Sequence, residues 1–341
     1  MISQYRLITF LCLIFSGVSI TNFAQADCDG NAQCTSTNST ASGTKTTPVK
    51  RKLLTDTLFT NPVYVTAGLT RNDNVNRASD NSDKLSDNTY NINFSNGTSF
   101  STSLHTRILM SGSIGWEKQQ QYDALDRISA GLNGELQYRA SGAFDSATFG
   151  LFARASIDRY KSNLRSGNRI STGVNVRKPL NDSTDISGTI SNNLRAAENN
   201  VFNNKDKSFS LSLEYLPIKN RTIYLSGEYR VGDTVSTSIA TSQSAALADV
   251  ISQDDAYGSI TRFAYRFEAI SRILTLGYNM SLGPRDSVDI FWTHVVSASS
   301  KTPVYAGASG SGPYAGAAQT GPGGNAIYIS NQIGIAYLMS F

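Results

Sequence analysis

The chain has 341 residues, of which 16% are charged and 40% hydrophobic, and its formal net charge is +4. A charged fraction that low, against about a quarter in ordinary globular proteins, argues against a typical soluble enzyme, and so small a positive excess argues against a nucleic-acid footprint. Three cysteines cannot build a disulfide scaffold, and past residue 26 no apolar run approaches the roughly 20 residues of a spanning helix.

Residues 1–26 have the layout of a secretory leader. Arg6 supplies the positive start, Leu7 to Ile20 the apolar stretch, and Ala24-Gln25-Ala26 the small-x-small cleavage signal. Asp27 before Cys28 argues against a lipoprotein signal. The segment 27–61 is expected to be a disordered periplasmic tail, because from Thr35 to Thr47 it is mostly Ser, Thr, Asn and Gly and cannot bury enough surface to fold. In an oxidising compartment Cys28 and Cys34 can pair as a small clip. Lys50-Arg51-Lys52 is a short basic knot, read as solvated linker charge or as a contact with acidic lipid or peptidoglycan-associated groups or a lumen plug, and the tail offers a site for a periplasmic partner.

From Pro62 onward the hydrophobic period is two. In the last segment Ile329, Ile333, Ile335, Tyr337, Met339 and Phe341 share one face, while Ser330, Gln332, Gly334, Ala336 and Ser340 share the other. Ile128, Ala130, Leu132, Leu136 and Tyr138 alternate in the same way with Arg127, Ser129, Asn133, Glu135, Gln137 and Arg139. Phe209, Leu211, Leu213 and Tyr215 alternate with serines and Glu214. Strands of about ten residues or more, where soluble sheets favour five or six, point to membrane crossing. Aromatic residues near strand ends (Tyr64, Phe94, Trp116, Tyr160, Tyr215, Phe341) would form interfacial girdles.

Short turn signals fall at 96–102, 141–146, 178–183, 216–221 and 283–287; long polar stretches fall at 72–87, 118–124, 161–168, 198–205, 232–257 and 300–325. Eleven connections make an all-β, antiparallel, up-and-down transmembrane barrel of about 12 strands over residues 62–341, with both ends on the periplasmic side. In 262–282 the apolar set Phe263, Tyr265, Phe267 gives way to Leu274, Leu276, Tyr278, Met280; this predicts a bulge near Ile270 or, alternatively, a cut giving 14 strands. Within 232–257, Ser244 to Ile251 could form a short helix at the mouth. The Gly-rich loop 300–325 reads as a mobile surface loop.

The Ala-x-Ala leader, the alternating strands and the ending Tyr337-Leu338-Met339-Ser340-Phe341 resemble Gram-negative outer-membrane β-barrels. The resemblance implies outer-membrane localisation. It also implies that Tyr337, Met339 and Phe341 belong to the signal read by the barrel-insertion machinery. Val65 to Asn76 is similar to the opening of β-barrel porins, some of them associated with exopolysaccharide gene clusters.

With the apolar face toward lipid, the other face lines the lumen. That predicts ten inward arginines: Arg107, Arg127, Arg139, Arg154, Arg169, Arg177, Arg195, Arg230, Arg262 and Arg266. Seven carboxylates would face them: Glu117, Glu135, Asp158, Glu214, Glu228, Glu268 and Asp289. Such a set can guide anions or brace the wall through ion pairs; its surplus of three positive charges favours weak anion preference. Only His105 and His294 are available for acid–base work, His105 expected to point inward and His294 to lie on the lipid face, with no nucleophile motif beside either. No His/Cys cluster indicates a metal, and no cofactor is implied. The expected function is a porin-like outer-membrane channel, not an enzyme, passing small hydrophilic, anionic or saccharide-like solutes. The alternative is a non-conducting accessory barrel of an envelope or exopolysaccharide assembly. Outer-membrane lipid and lipopolysaccharide are the expected surroundings, and nucleic acid is not a partner.

Overall fold

The computed structural model describes residues 63–141, 146–218, 220–300 and 327–341. The leader, the tail with Cys28, Cys34 and the basic knot, Pro62 and loop residues 301–326 lie outside the described residues.

Among the described residues thirteen strands run in chain order: β1 (Val63–Asn72), β2 (Asp87–Ser101), β3 (Thr106–Gln119), β4 (Arg127–Arg139), β5 (Thr148–Tyr160), β6 (Gly167–Asn181), β7 (Thr184–Ala197), β8 (Asn204–Ile218), β9 (Arg221–Ile239), β10 (Val250–Gln253), β11 (Arg262–Ser281), β12 (Asp286–Ser299) and β13 (Ile327–Ser340). All but β10 form the wall. Each pairs antiparallel with its neighbour, and β1 pairs with β13 from Tyr64↔Ser340 to Asn72↔Gln332, which closes a twelve-stranded barrel. β10 is extra: it pairs with Phe263–Arg266 of β11, beyond the point where β12 ends opposite Ala269. The segment expected to carry a bulge or a cut is one unbroken strand, paired with β9 without register shift from Arg262↔Ile239 to Met280↔Arg221. Its phase change reflects a change of surroundings along a single strand. Leu274 and Leu276 face outward, whereas Tyr265 and Phe267 are buried on the opposite face, where the strand projects past the membrane.

The connections alternate as expected, with one displacement. The Asn96-Gly97 turn signal lies inside β2, where Gly97 pairs with Ser111, and the hairpin turns later, at 102–105. The register of the ladder overrides the local turn preference. His105 therefore sits in that turn, exposed and with its ring 6.4 Å from that of Tyr138, and does not point inward from a strand. The expected mouth helix is α1 (Ser242–Leu247), two residues early, capped by the Thr241 hydroxyl accepting from Ser244 N at 3.0 Å.

Side chains alternate as a pleat dictates. Ile114, Ile128, Leu151, Ile190, Leu211, Leu225, Leu276, Ile290 and Ile335 are exposed on the outer face. Tyr90, Trp116 and Tyr229 mark its long-loop end, Trp292 lies midway along β12, and Tyr138, Phe149, Tyr215 and Phe341 mark its short-turn end. Tyr64 and Tyr160 do not join these girdles: their positions in the alternation turn them inward.

Two inward aromatics lie flat on glycines of the neighbouring strand. A Cβ on Gly277 would stand 2.1 Å from the Tyr224 ring, and one on Gly334 2.3 Å from that of Phe291. The first contact lets Tyr224 Oη donate to Asp289 Oδ2 at 3.0 Å. Gly277→Val should therefore displace the ring and strand the carboxylate, costing about 1–3 kcal/mol in urea unfolding from detergent micelles. Gly227→Val, where nothing lies within 4 Å of the new Cβ, should be close to neutral in the same assay.

Candidate functional site: the lumen wall and its mouth

Eight of the ten expected arginines occupy inward positions on β3 to β9: Arg107, Arg127, Arg139, Arg154, Arg169, Arg177, Arg195 and Arg230. Arg262, Arg266 and Glu268 do not. They share the outward phase of β11, beyond the end of β12, where the strand has left the bilayer. Arg262 pairs with Asp83, Arg266 donates to the carbonyls of Asn200 (2.8 Å) and Asn203 (3.2 Å), and Glu268 is exposed. Three carboxylates absent from the sequence reading join the wall: Asp87, which shares the phase of Asn91 and Asn93 on β2, and Asp185 and Asp206, which share the phase of the inward serines on β7 and β8. Eight inward arginines thus face nine strand carboxylates among the described residues (Asp87, Glu117, Glu135, Asp158, Asp185, Asp206, Glu214, Glu228, Asp289), and the expected surplus of three is gone.

Most of these charges brace neighbouring strands. Glu117 pairs with Arg127, which reaches Asp158 at 3.3 Å, and Asp158 in turn accepts from Arg169 at 2.9 Å, so one chain of charges crosses β3, β4, β5 and β6. Nearer the short turns, Arg177 pairs with Asp185 at 2.7 Å and lies 3.9 Å from Glu214. On β9, Arg230 pairs with Glu228 at 2.7 Å and lies 3.6 Å from Asp206 on β8. Two arginines differ. Arg154 donates to Asn133 Oδ1 at 3.1 Å and lies 4.4 Å from the Phe152 ring centroid. Arg195 donates to the Arg165 carbonyl at 2.7 Å, stacks on Tyr160 at 5.5 Å, and its buried Nε has no partner. Neither is in an ion pair.

The opposite half of the lumen, β11 to β13 with β1 and β2, is almost free of charge. Hydroxyls and amides line it: Ser271 with Ser297 at 2.8 Å, Thr275 with Thr293 at 3.1 Å, and Ser330 donating to Asn72 at 2.8 Å. Inward rows on β2, β3, β6 and β7, among them Asn91, Asn93, Ser113, Asn175 and Asn193, stay partly solvent-accessible. The cross-section therefore gathers its arginines on one arc, is lined mainly by hydroxyls and amides on the other, where Asp87 and Asp289 are the inward charges among the described residues, and stays partly solvent-accessible.

The ends of β9 and β11 run past the wall and, with β10, make a ribbon that spans the mouth. In a ring of twelve, β3 and β4 stand opposite β9 and β11, yet the segment after β10 reaches their loop. Tyr257 packs edge-on to Tyr122 at 5.2 Å, and Ala256 and Tyr257 cluster with Leu125. The ribbon touches each of the other described long loops. Asp83 in the first loop pairs with Arg262, and Asn76 Nδ2 donates to the Thr237 carbonyl at 2.9 Å. Arg165 of the third loop pairs with the fully buried Asp254, and Ser162 donates to Asp255 at 2.6 Å. Val201 and Phe202 of the fourth cluster with Val235 and Ala264. The barrel's buried apolar side chains gather mainly here. None of these long-range pairings has a sequence signature beyond the length and polarity of the loops.

A closed wall, an apolar exterior and a polar interior define a transmembrane β-barrel of the outer-membrane type, since only closed ladders satisfy every backbone group in lipid. Solved structures with a similar outline include an outer membrane channel from Pseudomonas putida F1 (8% identity, 87% of this chain and 100% of that one, TM-score 0.47) and the KdgM porin in complex with disordered oligogalacturonate (9%, 82% and 99%, 0.41). The NanC porin is a third (11%, 81% and 98%, 0.38). No family model and no curated protein matches the sequence.

The Tyr257 phenol is pushed up to about 12, chiefly by burial, with Asp254 and Tyr122 adding to the shift and Arg165 and Arg77 opposing it. An unfolded tyrosine ionises near 10, so the neutral, docked Tyr257 stabilises the ribbon fully below about pH 10. That contribution is lost as pH rises toward 12. Protease sensitivity of 240–261 should therefore rise between those values, and Tyr257→Phe should abolish the rise. An unchanged profile in the variant would assign the effect to another group.

Proposed function

We propose that the protein is a passive channel for small hydrophilic, hydroxyl-rich solutes such as saccharides, with a weak anion preference set by Arg154 and Arg195. The observation that carries this reading is the partly solvated inner face with two arginines outside any ion pair. Twelve strands lie between the eight whose lumen side chains fill and the sixteen or more that leave a wide aqueous channel. The width supports a narrow path. Charge balance along the braced arc gives ions little net attraction, while the opposite hydroxylic wall offers exchangeable hydrogen bonds to sugar-like solutes. Arg154 and Arg195 are the places where an acidic group would find an uncommitted guanidinium.

Hydrolysis is not part of the proposal. His294 Nδ1 lies 2.8 Å from Asn331 Oδ1 on the outer face and its ring stacks on Trp292 at 5.7 Å, an arrangement without a nucleophile. A second reading, a non-conducting accessory barrel, is favoured by the ribbon that spans the mouth.

Planar-bilayer recordings of the full chain distinguish the two readings. Under the channel reading the wild type conducts, and Arg154→Ser with Arg195→Ser lowers the anion-to-cation permeability ratio by about two- to fivefold. That corresponds to losing ~0.5–1 kcal/mol of attraction. Arg165→Gln with Arg262→Gln, which unfastens the ribbon, should raise the open fraction. Silence of both the wild type and the unfastened variant would establish the accessory barrel instead.

A further inference from the structure

On the outer wall, level with the middle of β8, Gly227 interrupts the lipid-facing rows. It pairs with Leu211 on one side and Leu274 on the other, and an added Cβ there would meet nothing within 4 Å. Larger neighbours rise around this notch: Phe209 on β8, Tyr229 on β9, Leu274 on β11 and Val296 on β12. Together with Ile273, and with Glu228, Arg272 and His294 at the margins, they line a groove of about 380 Å³ with a mainly apolar floor. Arg272 stands at its edge, exposed and pointing outward, one same-face step beyond Leu274 and paired in register with Tyr229.

A cation next to an acyl-facing groove needs an anion at the same depth. Around the outer rim, Arg71, Lys118, Arg159, Lys205, Lys207 and Arg272 are all exposed on the outward face, and none is in an ion pair. Lys207 lies one same-face step beyond Phe209, so two cations flank the top of the groove. The outward carboxylates do not neutralise them. Asp73 accepts from Asn331, Asp233 accepts from the Lys205 amide at 3.0 Å, and Glu268 lies two same-face steps beyond Arg272.

We propose that this groove is a lipid site. An acyl chain lies over Gly227 between Phe209, Tyr229 and Leu274, and Arg272, with Lys207 near it, holds a phosphate of the headgroup. The chemistry selects an acyl lipid whose headgroup carries a net negative phosphate, in the leaflet at the long-loop end. The apolar floor needs a chain, which free phosphate lacks. The rim cations need a headgroup anion, which a zwitterionic lipid offers only alongside its own cation. The site lies outside the lumen and does not depend on the channel reading.

Native mass spectrometry of the full-length barrel in non-ionic detergent tests it with two probes, a hexa-acylated diglucosamine bisphosphate and its dephosphorylated form. The wild type should retain the bisphosphate about fivefold better than the dephosphorylated lipid, the effect expected of one interfacial arginine on an anionic headgroup. Arg272→Gln should bring the two to parity with conductance unchanged, and Gly227→Phe should lose both. Equal retention of the two lipids by the wild type, or an unchanged preference in Arg272→Gln, would overturn the assignment of phosphate to Arg272. Lipid retained by a folded Gly227→Phe, or a Gly227-dependent dimer in place of bound lipid, would overturn the groove. If Gly227→Phe fails to fold, the surface variant Arg272→Gln still decides.

Discussion

Every backbone amide and carbonyl that crosses lipid must find its partner within the protein, because the hydrocarbon offers none. In this chain that demand is met by the pairing of β1 with β13, which joins the first strand to the last and leaves no edge in the membrane. The rest follows from closure. A closed pleated wall has two faces and no core in the usual sense, so apolar residues turn outward and polar ones inward. The inside then becomes a space whose charges must be balanced locally.

The wall balances them by threading arginines and carboxylates alternately across neighbouring strands. Asp158 illustrates the economy: one buried carboxylate serves Arg127 from β4 and Arg169 from β6. Bracing of this kind leaves the arc β3–β9 nearly neutral and two of its arginines outside any ion pair. Arg154 and Arg195 are covered instead by amide, carbonyl and aromatic partners, which stabilise a guanidinium without cancelling its charge.

The apolar packing found inside most proteins is displaced here to the mouth. Val201, Phe202, Val235 and Ala264 make one small core, and Leu125, Ala256 and Tyr257 another, both formed between loops beyond the bilayer. They fasten the ribbon of β9, β10 and β11 over the entrance.

Strand number, the direction of each face and the orientation of the ends were legible in the residues, because a period of two maps directly onto a pleat and each face meets a uniform solvent. The same rule misplaced Arg262, Arg266 and Glu268. Alternation states which residues share a face, and it cannot say where a strand leaves the bilayer and its faces exchange their surroundings. It also set Asp87 within a loop and Asn96-Gly97 at a turn, since local preference at strand ends yields to register. The pairing of particular arginines with particular carboxylates, and the reach of Tyr257 to Tyr122 across the mouth, were decided only by tertiary structure. They depend on which strands become neighbours or opposites once the ring has closed, and short-range pattern carries no information about that distance.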